Sequence, residues 1–238
     1  MNNSKSLVYI SDRELESHIY VQQINADEAV KITTLPVASY NNVGIGYDVS
    51  PDEKYIIYGH YDKLYRVGTD GRGLTQLATA SNGFHFREVS YSDQGDKIVA
   101  LLVGAAPYTS EIHILNANGS NMELFMEDVP GSLGSPSFSM DGTRILFTRD
   151  LSGNEVSSGR QLNTHVQLVK LDKSDTIDVS SKKADGTNDL FPRFSPNGGK
   201  IIFMNGSNSS NATEIWTMDS NGENRTMIHP NGKYPYWK

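Results

Sequence analysis

The stretch Phe191–Ile228, FPRFSPNGGKIIFMNGSNSSNATEIWTMDSNGENRTMI, reads as one structural repeat. Phe191 to Phe194 is a short apolar strand interrupted by Pro192. Ser195-Pro196-Asn197-Gly198-Gly199-Lys200 is a turn, because proline presets φ while asparagine and glycine tolerate positive φ. Ile201 to Met204 is a buried β run, and Asn205 to Thr213 a polar loop. Glu214-Ile215-Trp216-Thr217-Met218 alternates with period two, Asp219-Ser220-Asn221-Gly222 closes a hairpin, and a last strand carries Met227 and Ile228. Four strands and three turns thus fit in about 40 residues. Such a sheet has two apolar faces and cannot stand alone, so copies must stack face to face. The architecture that stacks four-stranded units is the β-propeller.

The unit recurs along the chain. The serine before the first turn returns as Ser50, Ser92 and Ser139, each followed by a turn and a β run: Tyr55–Tyr58, Ile98–Leu101 and Ile145–Phe147. The second hairpin returns as Thr69-Asp70-Gly71, Asn116-Ala117-Asn118-Gly119 and Asp172-Lys173-Ser174-Asp175. Asp-Gly and Asn-Gly are the residues a tight β-hairpin demands.

The N-terminal copy lacks its first strand. Leu7 to Asp12 reads as a second strand, Ile19-Tyr20-Val21 as a third and Val30-Lys31-Ile32 as a fourth. The missing piece stands at the other end, where Tyr234-Pro235-Tyr236-Trp237 matches Phe191-Pro192-Arg193-Phe194 position for position. The expectation is an all-β, five-bladed propeller of four-stranded antiparallel blades. Residues 1–238 form one domain, closed by a C-terminal strand that completes a first blade split between 1–36 and 233–238. Pairing the ends removes free sheet edges that invite aggregation.

These residues resemble the TolB-like propeller family, whose repeat (PD40, or WD40-like) has the form F-S-P-D-G-K-x-I-x-F followed by I-Y-x-M-D-x-D-G. The matching residues are Phe194-Ser195-Pro196-Asn197-Gly198 with Ile215-Trp216-Thr217-Met218-Asp219, Val49-Ser50-Pro51-Asp52, and Phe138-Ser139-Met140-Asp141-Gly142. The resemblance covers almost the whole chain and implies the propeller fold in a bacterial, commonly exported protein. Its motif residues are turn and core positions, so it specifies fold rather than function.

Composition agrees with one all-β ring of 238 residues. There is no cysteine, which removes disulfides, thiolate metal sites and thiol nucleophiles. The formal charge of −7 disfavours nucleic acid and anionic membranes as partners. No apolar run approaches the roughly 20 residues of a membrane helix, and no leader is visible. A cytoplasmic protein and an exported domain whose leader has been removed both remain open.

Loop length and polarity mark a working face. The loops between second and third strands are short near Arg13–Glu16 and His60–Lys63, and longer at Gly104–Ser110, Asp150–Asn163 and Asn205–Thr213. On the same face, the segments leading into the first strands carry Asn42, His85, Arg87, Asn188, Asp189, Lys233 and Tyr234. Charge, amide and imidazole around a concavity suit a protein or peptide, and also a small polar ligand or a sugar. Tyr234 and Tyr236 are placed near the channel, whereas Tyr9, Tyr58, Phe147, Phe203 and Trp237 are read as core.

Two functional classes follow. The first is a non-catalytic scaffold binding a protein or peptide, without cofactor or metal. The second is a carbohydrate-active enzyme, a polysaccharide lyase or a glycoside hydrolase, with its site in the channel. A lyase of this fold would need several channel histidines to hold a metal. His18, His113 and His165 fall on third strands, far from the axis, and only His85 is central. A hydrolase would need paired carboxylates. Asp48, Glu88 and Asp189 lie on or near innermost strands but out of register with one another. The motifs G-x-S-x-G and H-E-x-x-H and a phosphate loop are absent.

Overall fold

A computed structural model describes residues 6–37, 46–81, 83–106, 109–128, 132–152, 162–210 and 212–237. The described residues form 19 strands and no helix. Blade 1 holds β1 (Ser6–Ser11), β2 (His18–Gln23) and β3 (Val30–Lys31). Blade 2 holds β4 (Tyr47–Val49), β5 (Tyr55–His60), β6 (Lys63–Gly68) and β7 (Thr75–Thr79). Blade 3 holds β8 (His85–Tyr91), β9 (Lys97–Val103), β10 (Ser110–Asn116) and β11 (Glu123–Asp128). Blade 4 holds β12 (Leu133–Phe138), β13 (Arg144–Asp150), β14 (Thr164–Lys170) and β15 (Thr176–Asp178). Blade 5 holds β16 (Thr187–Phe194), β17 (Lys200–Ser207), β18 (Thr213–Asp219) and β19 (Thr226–Pro230). Within each blade the strands pair antiparallel in chain order. This is the five-bladed propeller that the repeats announce.

The recurrent serine is a turn clasp. Ser50, Ser139 and Ser195 each donate their hydroxyl to the side chain two residues on (Asp52, Asp141 and Asn197) at 2.6–2.7 Å. Each accepts the backbone amide of the residue five positions on (Tyr55, Arg144 and Lys200) at 3.0 Å. Ser92 does the same with Asp96 and the Lys97 amide. The hydroxyl thus satisfies the first amide of the following strand, the local bonding for which serine and aspartate are suited. The serine donors hold the exposed Asp52 and Asp141 carboxyls below their ordinary pKa.

The second hairpins weld neighbouring blades. Gly119, at φ +90°, leaves β10 and lies directly on the backbone of Leu77 in β7 of the preceding blade. Gly222, at φ +87°, sits in the same way on Val179 beyond β15. Both the left-handed turn and the close approach require the absence of a Cβ.

Hydrophobic clusters fill the seams. Ile56, Tyr58 and Val67 meet Ile19 and Ile32 between blades 1 and 2. Phe86 and Ile98 meet Ile57 and Leu64 between blades 2 and 3. Phe138 and Phe147 meet Val99 and Ile112 between blades 3 and 4. Phe203 and Met218 meet Leu146 and Val166 between blades 4 and 5. No such cluster joins blade 5 to blade 1 among the described residues. Leu7 is 55 % exposed, whereas its counterparts Ile56, Ile98, Ile145 and Ile201 are fully buried. Tyr9 is half-buried rather than core, unlike Tyr58, Phe147 and Phe203, because no neighbouring blade covers its face.

The innermost strands share one register. Val49, Tyr91, Phe138 and Phe194 pair with Ile56, Ile98, Ile145 and Ile201. β8, β12 and β16 then bulge, and in β12 and β16 the bulge holds a residue of positive φ followed by proline: Ser135-Pro136 and Phe191-Pro192. Proline is tolerated there because a bulge leaves the ladder locally unpaired. Tyr234, before Pro235, has φ +51°, against +50° for Ser135 and +53° for Phe191. The C-terminal stretch therefore repeats the positive-φ residue before proline found in β12 and β16. Its Tyr234 ring meets Phe191 edge-on at 4.8 Å. It joins no sheet, so blade 1 has three ladder strands among the described residues rather than four.

The segment Asn205–Thr213 is a shorter loop than its polarity predicts. β17 runs on to Ser207, pairing Asn205 with Glu214 and Gly206 with Thr213, because the Asn205 amide is tied to Asp189 at 2.8 Å. Most of the insertion from Asp150 to Arg160 lies outside the described residues, as does Asn42.

Candidate binding face and axial cluster

Three observations define what surrounds the axis. The first is a polar cluster on the innermost strands. Asp48, Ser90, Ser137 and Arg193 stand at one level, opposite Ile57, Val99, Leu146 and Ile202. The Asp48 carboxylate accepts the Tyr91 amide at 2.8 Å, the Val49 amide at 2.8 Å and the Ser90 hydroxyl at 3.2 Å. Burial pushes its pKa up; the amides, the Ser90 hydroxyl and the Arg193 charge pull against that shift. Glu88, 5 % exposed, is likewise raised by burial, against the charges of Arg193 and Arg87 and hydrogen bonds from the Ser135 amide and hydroxyl. Arg193 donates to the carbonyls of Ser135 at 3.3 Å and Pro192 at 3.0 Å, which ties it to blade 4, and its charge acts on both buried carboxyls, Asp48 and Glu88. Tyr47, beside Asp48 and Tyr236, is pushed up to about 12 by burial.

The second is a buried ion pair one seam away. Asp189 is fully buried and takes both arms of Arg225 at 2.9 Å each. It also accepts the Ser180 hydroxyl at 2.6 Å and the Asn205 amide. Arg225 lies over the Phe203 ring at 4.7 Å. A bidentate pair with its remaining lone pairs satisfied is the form in which a buried charge is tolerated. Asn188, 4 % exposed, is fixed by the Thr164 amide and by Asn208. Both residues brace the joint between blades 4 and 5.

The third is a ring cluster on the face where β5–β6-type turns meet the segments leading into first strands. The turn at Tyr61 binds the next blade through its carbonyl, which accepts the Phe86 amide at 2.8 Å. Its side chain meets His60 edge-on at 4.7 Å and His85 edge-on at 5.7 Å. Tyr61 is 53 % exposed and holds φ +51°. Of the residues expected at the mouth, His85 joins this cluster, Arg87 sits at the β8 bulge beside Glu88, Lys233 is exposed, and Tyr234 lies against Phe191. Tyr61 and Arg193 escape sequence reasoning, since their neighbours come from other blades.

Each of the other histidines has a hydrogen-bond partner, His229 with the Pro230 carbonyl. His18 binds Thr33, His60 binds the Pro36 carbonyl, His113 binds Glu111, and His165 lies between Asp178 and Asn163. Among the described residues, no three histidine, aspartate or glutamate side chains are placed to hold a metal ion. The innermost-strand carboxylates Asp48, Glu88 and Asp189 stand at three different levels, opposite Ile57, Leu101 and Asn205.

Fold and axis define the class: a β-propeller with a buried polar cluster on its innermost strands. No family model and no curated protein matches the chain. Solved structures do. An oligogalacturonate lyase in complex with manganese superposes with a TM-score of 0.71 at 13 % identity, over 95 % of this chain and 62 % of that one. The oligogalacturonate lyase of Vibrio parahaemolyticus gives 0.69 at 16 %, over 96 % and 63 %. TolB from Acinetobacter baumannii gives 0.66 at 18 %, over 96 % and 52 %. The chain thus spans between 52 % and 63 % of the length of these three proteins. At such identities the likeness is one of fold.

Proposed function

We propose that this chain is a non-catalytic binding module that engages a protein or peptide partner through the face carrying Tyr61, His85, Arg87, Lys233 and Tyr234, with Asn188 and Asp189 bracing that face from below. The observation that carries this reading is the half-exposed Tyr61 ring set against His60 and His85 at a blade boundary. Aromatic side chains fixed by their neighbours and open to solvent supply contact area at low entropic cost, and they dominate binding hot spots. By contrast, Asp48 and Asp189 are each engaged by three or more donors, and Glu88 by Ser135 and two nearby arginines. That is how struts are built.

A second reading has one observation in its favour. Asp48 and Glu88 carry raised pKa values around a single arginine on the axis, and perturbed carboxyls in a channel are a mark of acid–base sites. Under this reading the chain acts on a sugar chain, without metal assistance from the described residues. The two readings separate in one parallel experiment. A random-peptide display selection on immobilised protein is run beside a turnover screen on acidic and neutral oligosaccharides. Enriched peptides whose binding is lost in Tyr61→Ala and kept in Glu88→Gln support the binding module. Oligosaccharide cleavage abolished by Glu88→Gln, with no peptide enrichment, overturns it.

A further inference from the structure

The axis also holds a seat that the ladder does not fill. β1 pairs with β2 on one side, and no described strand pairs with it on the other. In place of a strand, the Tyr47 hydroxyl from blade 2 donates to the Val8 carbonyl of β1 at 2.9 Å. Tyr234–Trp237 runs through the gap between Phe191 of blade 5 and Tyr47 and Asp48 of blade 2. Tyr234 touches Phe191, and Tyr236 lies within electrostatic reach of Asp48 and Arg193. Its backbone carries the same positive-φ residue before proline as Ser135-Pro136 and Phe191-Pro192. Residue identity follows the same form, x-Pro-x-aromatic, in Ser135–Phe138, Phe191–Phe194 and Tyr234–Trp237.

The tail is nevertheless held lightly. It makes no ladder, Tyr234 and Tyr236 are 47 % and 64 % exposed, and the Trp237 indole N–H is buried without an acceptor. It is anchored upstream, where Gly232 lies so close to Ile215 of β18 that a Cβ would overlap that side chain.

We infer that this gap is an exchangeable strand-acceptor site, specific for an extended x-Pro-x-aromatic peptide and occupied at rest by the chain's own Tyr234–Trp237. Strand addition to a free sheet edge takes its affinity from the main chain and its selectivity from alternate side chains. Here the selecting groups are Phe191, which faces the residue before proline, and the Tyr47–Asp48–Arg193 group, which faces the residue after it. The seat shares Tyr234 with the proposed binding face but contains neither Tyr61 nor His85, so Tyr61→Ala tests the binding face without disturbing the seat.

The test uses a labelled peptide spanning residues 233–237 and the full chain. In the Tyr234→Ala/Tyr236→Ala protein the resident tail is weakened. Fluorescence anisotropy is expected to show binding at least about tenfold tighter than to wild type, because a competing intramolecular occupant has been removed. A scrambled peptide is expected not to bind. Gly232→Ala, which lifts the tail at its anchor and leaves every seat residue intact, is expected to give the same gain. Equal binding of authentic and scrambled peptide, or no binding to either folded variant, overturns the inference. If neither variant folds, oxidative footprinting of the wild type decides. Excess unlabelled peptide should increase oxidation of Trp237, whose indole N–H is buried at rest, and unchanged oxidation of Trp237 contradicts the proposal.

Discussion

Tyr61 meets His85 edge-on, with ring centroids 5.7 Å apart, across the boundary between blade 2 and blade 3. The contact joins a turn to the start of an innermost strand, and it is open to solvent. Tyr61 also holds φ +51°, which costs any residue with a Cβ about 1 kcal/mol. Tyr61→Gly is therefore expected to be more stable than Tyr61→Ala by roughly 1 kcal/mol, although both lose the ring. Urea unfolding of the two variants checks this, and equal midpoints would mean that the turn is not left-handed in solution.

Asp189 and Arg225 set the largest single mutational effect. Arg225→Leu leaves a fully buried carboxylate without its counter-charge, a loss expected to cost about 3–5 kcal/mol. Arg225→Leu combined with Asp189→Asn removes the orphaned charge and should recover part of that loss. Chemical denaturation of the single and double variants measures both. A single variant within about 1 kcal/mol of wild type would show that the pair is not formed.

Glu88 predicts a pH dependence. Its folded-state pKa lies above its unfolded value because of burial. The protonated form is thus favoured by folding, and the associated stability is present below the unfolded pKa of about 4.3 and lost as pH rises through the folded pKa. Glu88→Gln removes this dependence. The stability of the variant relative to wild type should therefore rise as pH increases from the unfolded pKa of about 4.3 through the folded pKa. The lowered Asp52 and Asp141 act in the opposite direction in both proteins and cancel in the comparison. Asp48 shares the Arg193 charge with Glu88, so Asp48→Asn in both backgrounds isolates the Glu88 contribution. A flat or falling difference would place Glu88 in a more solvated site than its 5 % exposure indicates.

Gly119→Ala combines two penalties, a left-handed φ of +90° and overlap with the Leu77 backbone. The conformational part alone is worth about 1 kcal/mol, and the overlap must push blades 2 and 3 apart. Gly73 is also left-handed, at φ +68°, but a Cβ added there would meet nothing within 4 Å, so it should show the conformational part only. The difference between Gly119→Ala and Gly73→Ala in thermal unfolding isolates the seam contribution.

The architecture is legible in the sequence because its determinants are local. A serine, a turn acid or amide, and a β run five residues on encode the clasp seen at Ser50, Ser139 and Ser195. Asp-Gly and Asn-Gly encode the hairpins. What sequence does not supply is long-range. Asp48 meets the Tyr91 amide 43 residues away, and Asp189 meets Arg225 36 residues away. Nothing near Asp189 marks it as a buried anchor rather than a residue of the channel mouth. Tyr9 departs from expectation for the same reason: its strand pattern is that of Phe203, but burial depends on a neighbouring blade that the pattern does not encode. The match of Tyr234–Trp237 to Phe191–Phe194 is visible in residue types and extends to backbone φ, while the pairing of that segment with β1 does not follow.

The most direct test of the binding module is a hydrogen-exchange footprint of the protein with a peptide obtained by display selection. The account predicts new protection confined to the turn at 60–62, the start of β8 at 85–87 and residues 233–234. Protection centred instead on Asp48 and Glu88 in the channel, or on the outer strands β7, β11 and β19, would contradict it.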